Sequence, residues 1–224
     1  MFSVTDEWRN QYPGACEGIL EIHDVDNPRN HAGLEKRKIE LETELRERFS
    51  AFDRQALEAY PPFPAYEAYY RRFKKTYHVF LQLESVIKGK AIPSVSALVE
   101  AMFMAELKNR LLTAGHDLEA IQPPVRLSVA SGEERYTVLR GQEQALKQGD
   151  MFIADGQGII SSIIYGPDQR TQITPSTRKV LFTVYAPPGV EIQAVQAHLE
   201  ELRDYVLLIS PSARVSQLGI FSTG

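Results

Sequence analysis

Cysteine is almost absent from this 224-residue sequence: Cys16 stands alone, so no internal disulfide can form. A lone thiol fits a reducing compartment, or equally a small buried apolar side chain. No apolar run approaches the roughly 18 residues that a membrane-crossing helix needs. The first residues, MFSVTDEWRN, have neither a basic n-region nor an apolar h-region, so no secretory signal is expected. Together these absences predict a cytoplasmic protein with no membrane partner. Positive charge is also in deficit, with 25 Lys and Arg against 29 Asp and Glu and a net charge of −4. Non-specific nucleic-acid binders carry a large positive excess, because phosphate neutralisation supplies most of their affinity. Any RNA contact must therefore come from a local basic patch, and no DNA partner is expected.

Familiar catalytic signatures are missing as well. There is no P-loop, no GxSxG and no HExxH. Asp155-Gly156-Gln157-Gly158 lies between two predicted strands, which is the wrong place for a dinucleotide loop. The five histidines, at 23, 31, 78, 116 and 198, lack metal-ligand spacing, so neither a metal site nor a cofactor is expected.

What remains is an ordinary globular composition, 43% hydrophobic and 24% charged, long enough for one large domain or a compact pair. Residues 15–23 read as a strand after the Pro13-Gly14 turn signal. From 31 to 49 the period is helical, with Leu34, Leu41, Leu45 and Phe49 on one stripe. Glu42 with Arg46 and Glu44 with Arg48 sit at i,i+4, and the charge run reads as a solvated face. Short helices are predicted over 53–60 and 79–87, separated by the Pro61–Pro64 breaker. Ser94 is the expected N-cap of the clearest helix, which carries Val95, Leu98, Val99, Met102 and Phe103.

Beyond Gly115 the period falls to two. Residues 125–129 and 135–140 alternate around Ser131-Gly132 and predict a hairpin. Strands follow at 151–154 and 159–164, then a doubly buried one at 180–185, a helix after Pro188-Gly189 and a last strand within 212–221. Helices in the first half and strands in the second predict an α+β fold, not a doubly wound sheet.

Four places offer chemistry. The stretch 66–78 mixes Arg71, Arg72, Lys74 and Lys75 with tyrosines and phenylalanine, the combination that neutralises phosphates and stacks bases. The same pattern also describes an amphipathic helix with buried aromatics. Glu106 falls on the apolar side of its helix, as an exposed margin or as a carboxyl beside a pocket. His116 and Asp117 are read as a loop, forming an acid–base pair or simply capping residues 118–120. Residues 166–174 join two apolar strands, where Arg170 offers a planar fork and Thr171 and Thr174 offer hydroxyls. The alternative there is a surface loop with Arg170 and Asp168 in a structural ion pair.

PSVSALVEAMFMAELKNRLLTAGHDLEAI (93–121), RLSVASGEERYTVLRG (126–141), GDMFIADGQGIISSIIYG (149–166) and RTQITPSTRKVLFTVY (170–185) resemble the tRNA-binding and editing (B3/B4) domain of the phenylalanyl-tRNA synthetase β subunit. YPGACEGILEIHDVDN (12–27) and YRRFKKTYHVFLQLESVIKGKAIPS (70–94) are similar to its free-standing bacterial version. The resemblance implies a single domain over 1–224. Within it lie an N-terminal strand and helices to 64, a best-matching core over 65–190, and a C-terminal helix and strand over 191–224. It also implies helices packed on a β-barrel-like, largely antiparallel core.

By function, the resemblance implies binding of tRNA or aminoacyl-tRNA, with or without deacylation of a mischarged species in trans. The chain departs from the family's editing motif at two positions: Phe103 stands where the resemblance places a pocket Asn, and Ala114 where it places a pocket His. The editing Glu falls near Asp168 or Gln169. A ligand pocket is therefore expected at Glu106, His116, Asp168, Arg170 and Thr171, and an RNA contact at Arg71, Arg72, Lys74 and Lys75. The competing expectation is a non-catalytic module for a small amino-acid-like ligand, which the lost polar groups and acidic charge favour.

Overall fold

The strand at Lys179–Ala186 (VLFTVYA after the lysine) is apolar on both faces, and the fold is organised around it. A computed structural model describes residues 2–223. In chain order its strands are β1 (Phe2–Val4), β2 (Cys16–His23), β3 (Leu112–Asp117), β4 (Val125–Val129), β5 (Arg135–Thr137), β6 (Glu143–Ala145), β7 (Met151–Ala154), β8 (Ile159–Ser162), β9 (Gly166–Pro167), β10 (Lys179–Ala186) and β11 (Arg214–Ser222). Its helices are α1 (Asp6–Gln11), α2 (Ala32–Phe49), α3 (Arg54–Glu58), α4 (Phe63–Arg72), α5 (His78–Ile87), α6 (Ala97–Asn109) and α7 (Ile192–Ile209). The architecture is α+β. One sheet has the order β11-β2-β10-β3 and is antiparallel throughout; the other has the order β1-β4-β7-β8-β9, antiparallel except for β1 beside β4. Among the described residues the sheets do not close into a barrel. A hydrogen bond of 2.6 Å between Tyr185 Oη and Ser161 Oγ ties one to the other.

β10 is paired on both edges, by β2 and β3, and Val180–Ala186 are all buried, which is why it reads as a nearly continuous apolar run. On one face α7 lies against β2, with Val195, Leu199 and Leu202 buried. That approach needs Gly18. A Cβ there would stand 2.7 Å from Val195 Cγ1 and 3.1 Å from Leu199 Cδ1. Gly18→Ala is expected to cost about 1–3 kcal/mol through overpacking; urea unfolding with an unchanged midpoint would refute this close fit.

Several local expectations are corrected. The 125–129 and 135–140 segments do not form a hairpin: β4 pairs with β1 and β7, whereas β5 pairs with β6. Alternation in both segments is genuine, but alternation does not name the partner strand. Ser96, not Ser94, occupies the N-cap of α6, and Ser94 Oγ instead accepts Lys38 Nζ at 2.6 Å. The helix ends at Asn109 rather than near Gly115, because Arg110 adopts left-handed backbone (φ 62°) and turns the chain into β3. Arg110 is held there by donating to Pro61 O at 2.9 Å and lying over the Tyr60 ring. Residues 114–117 therefore belong to a strand and not to a loop.

The charged face of α2 is also less solvated than its pattern implies. Lys38 is buried and meets Glu100 at 3.2 Å, while Glu42 accepts the Ile92 N–H at 2.7 Å. Of the two i,i+4 pairs, Glu42–Arg46 forms at 3.1 Å, but Arg48 donates to Tyr60 Oη instead of meeting Glu44.

Candidate functional site

The apolar stripe of α6, the strand β3 and the Gly166–Ile173 segment enclose a cavity of about 360 Å³. Val99, Met102, Phe103, Ala114, Ile163 and Ile173 give it a mainly apolar wall, and Ser162, Tyr185, Gln172 and the exposed His78 add polar edges. Phe103 and Ala114 both face this space. The two positions where the resemblance puts pocket polar groups thus lie on one cavity, and in this chain both are apolar.

Glu106 is the one carboxyl lining that cavity among the described residues. It is 2% exposed and accepts the Thr113 N–H at 2.8 Å. Burial raises its pKa to about 8, partly offset by that N–H, so near neutrality the group is largely a protonated acid. Behind it, Thr113 Oγ1 contacts His198 Nε2 at 2.8 Å, and burial lowers the His198 pKa to about 3.

The other expected pocket residues do not line the cavity; they build its wall. Thr171 is fully buried, and its hydroxyl donates to Asp168 Oδ1. With that proton committed, Thr171 Oγ1 is the acceptor for His116 Nδ1 at 2.7 Å, which assigns the Nδ1–H tautomer. His116 is buried and neutral, its pKa lowered to about 3 first by desolvation and then by Arg170. Its Nε2 is buried without a partner among the described residues. Arg170 meets Asp155 at 2.8 Å, lies 3.7 Å from Asp168 and donates to Ala120 O. The structural ion-pair alternative for Arg170 is therefore present, with Asp155 as the closer partner. Asp117, the other half of the imagined acid–base pair, caps the turn at Leu118–Ala120 and accepts the Thr177 hydroxyl.

The basic stretch resolves into two roles. Tyr66, Tyr69, Tyr70, Phe73 and Tyr77 are all buried, so none is free to stack on a base. Their hydroxyls hold α4 and its flank to the sheets: Tyr66 donates to Tyr185 O at 2.6 Å, Tyr70 to Ile163 O at 2.7 Å and Tyr69 to Asp150 at 2.9 Å. The cations remain outside. Arg72 lies over Tyr12, Tyr69 and Phe73 at 5.2–5.8 Å, and Arg71 is 3.7 Å from Glu67. Lys75 sits 5.7 Å over the Tyr165 ring, one residue from the cavity-lining Gly166. Sequence reasoning missed His78, Ser162, Gln172 and Tyr185 at the cavity. His78 and Gln172 lie within the 66–78 and 166–174 segments already marked for their chemistry, whereas Ser162 and Tyr185 sit in apolar strands that carry no signal of a pocket.

No cluster of three potential metal ligands occurs among the described residues, and none of their helices is long and apolar enough to cross a membrane. No curated protein matches the chain significantly. The crystal structure of an N-terminal fragment of the phenylalanyl-tRNA synthetase β subunit from Pyrococcus horikoshii is similar at 12% identity and a TM-score of 0.48. The match covers 97% of this chain and 54% of that one, so the present chain spans about half its length. Residues 65–205, more than half of the sequence, match the B3/4 domain, and the chain belongs to the B3/4 domain family.

Proposed function

We propose that this protein binds aminoacyl-tRNA by its charged end, seating the amino-acid side chain in the apolar cavity between α6, β3 and the 166–173 wall. The observation that carries this reading is the apolar cavity with one buried carboxyl, Glu106, at its edge. Such a space suits an apolar or aromatic side chain, and a protonated acid or its carboxylate suits the amino group beside it. Family membership and the exposed Arg71, Lys74 and Lys75 add support for an RNA-borne ligand. Binding rather than rapid hydrolysis is the expected activity. Phe103 and Ala114 bring no polar atom to position water, and His116 and Asp168 are occupied within the wall.

Charged and uncharged tRNA are to be compared for binding, with ester hydrolysis followed in the same samples. The charged form should bind more tightly, and Ala114→Leu should erase the difference by filling the cavity. Equal binding of the two forms by the wild type would overturn the proposal. Charge reversal at Arg71, Lys74 and Lys75 should weaken both forms alike and flatten the salt dependence. Hydrolysis of one mischarged species would instead mark a trans-editing enzyme with a rebuilt site.

A second reading, a free amino-acid-like ligand with no RNA, is favoured by the burial of every tyrosine and phenylalanine in the basic stretch. It predicts thermal stabilisation by amino acids and none by tRNA.

A further inference from the structure

The four-stranded sheet ends at β11, whose one strand neighbour among the described residues is β2. Thr223 N–H donates to Ala15 O at 3.3 Å, which sets the phase of the ladder between the two strands. In an antiparallel pair the backbone groups of alternate residues turn to opposite edges. Gln217, Gly219 and Phe221 therefore bond toward β2, and the N–H and C=O of Leu218, Ile220 and Ser222 turn outward. Arg9 Nη1 reaches Ser222 O at 3.2 Å, but no group among the described residues meets the outward pairs of Leu218 and Ile220.

β11 carries few of the devices that keep an exposed edge from pairing. Guarded edges are short, or bear lysine, proline or a bulge. This one runs nine residues, and 215–222 hold no charge and no proline. Its bulge lies between Val215 and Gln217, which leaves 217–222 regular. Leu218, Ile220 and Phe221 pack against the core yet stay partly open to solvent.

The middle of the strand is suited to a two-fold axis. Nothing stands within 4 Å of the place a Cβ would take on Gly219. Antiparallel pairing centred there sets Gly219 against the partner's Gly219, at a non-hydrogen-bonded position where Cα atoms come within about 4.5 Å. Leu218 then lies opposite the partner's Ile220, and each such pair exchanges both of its N–H···O bonds. Charge favours a copy over a foreign strand. Arg214, the one charged residue of β11, is already held by Asp24 at 2.8 Å. Two chains of net charge −4 thus meet along a neutral seam, which offers an acidic or basic peptide no counter-ion.

The geometry points to a homodimer formed by antiparallel pairing of β11 with β11 of a second copy, joining two four-stranded sheets into one. It stands apart from the ligand reading, since β11 contributes no residue to the cavity.

Sedimentation of the full chain across a concentration series should show a wild-type dimer that dissociates on dilution. Gly219→Lys and Gly219→Glu each set two like charges face to face on the axis, and each should weaken the dimer at least about tenfold. Mixed in equal amounts, the two variants should restore a dimer, now a heterodimer of opposite charges. The open space at Gly219 admits either side chain, and an unchanged circular dichroism spectrum verifies the fold. The proposal is overturned by a wild type that stays monomeric throughout the series. It is equally overturned by single variants that dimerise as the wild type does, or by a mixture that stays monomeric.

Discussion

At pH 8, Glu106→Gln is expected to melt roughly 5–10 °C above the wild type, and the difference should vanish near pH 4.5. The Glu106 carboxyl has a folded-state pKa of about 8 because burial disfavours its charge, against about 4.3 in an unfolded chain. A raised carboxyl pKa leaves stability intact below the unfolded value. That stability is then lost progressively as pH rises through the folded value, because the native state holds a proton that the unfolded state has released. The full loss is on the order of 3–5 kcal/mol, and glutamine recovers most of it while keeping an oxygen for the Thr113 N–H.

Asp150, raised to about 7 chiefly by burial, and fully buried Glu17 act with the same sign. His116 and His198 act oppositely: their depressed pKa values withdraw stability only as pH falls below the unfolded histidine value of about 6.5. Between pH 6.5 and 8 the carboxyls are therefore unopposed, and wild-type stability should decline across that window. A flat profile there, or a Glu106→Gln variant no more stable at pH 8, would show that Glu106 is ionised and solvated through the cavity.

Thr171→Val should destabilise the fold by about 2–4 kcal/mol although it changes shape very little. The substitution leaves His116 Nδ1–H without its acceptor and removes the hydroxyl donor from Asp168, both inside a buried wall. Thr171→Ser keeps the hydroxyl and should cost distinctly less, so the pair isolates the hydrogen-bond chain from packing. Denaturant unfolding measures both. If valine and serine cost the same, the chain contributes little and methyl packing holds the wall.

These two residues also show where the sequence was readable. Helical periodicity brought Glu106 to the apolar side of its helix but left open an exposed margin or a carboxyl beside a pocket; in the structure it is buried and lines the cavity. The 166–174 segment was recognisable as a sheet-end loop with polar side chains. Its inward and outward residues were not, because a loop has no fixed period to sort them. Aromatics and cations in residues 66–78 were plain to see, but only burial decided that the rings belong to the core and the charges to the surface.

Local chemistry determined most of the elements by itself. Apolar spacing set α2, α5, α6 and α7, and continuous β-branched and aromatic residues set β10, because those periods follow from the geometry of a single element. The α+β order of helices before strands was likewise present in the sequence. Tertiary structure alone decided which strands pair, so β4 joined β7 and not β5. It alone ended α6 at a left-handed Arg110, and it buried Lys38 and Glu42 on a face that reads as solvated. The cavity is of the same kind. Its walls come from residues as distant as His78 and Tyr185, and no local pattern encodes the side chains that long-range packing brings face to face.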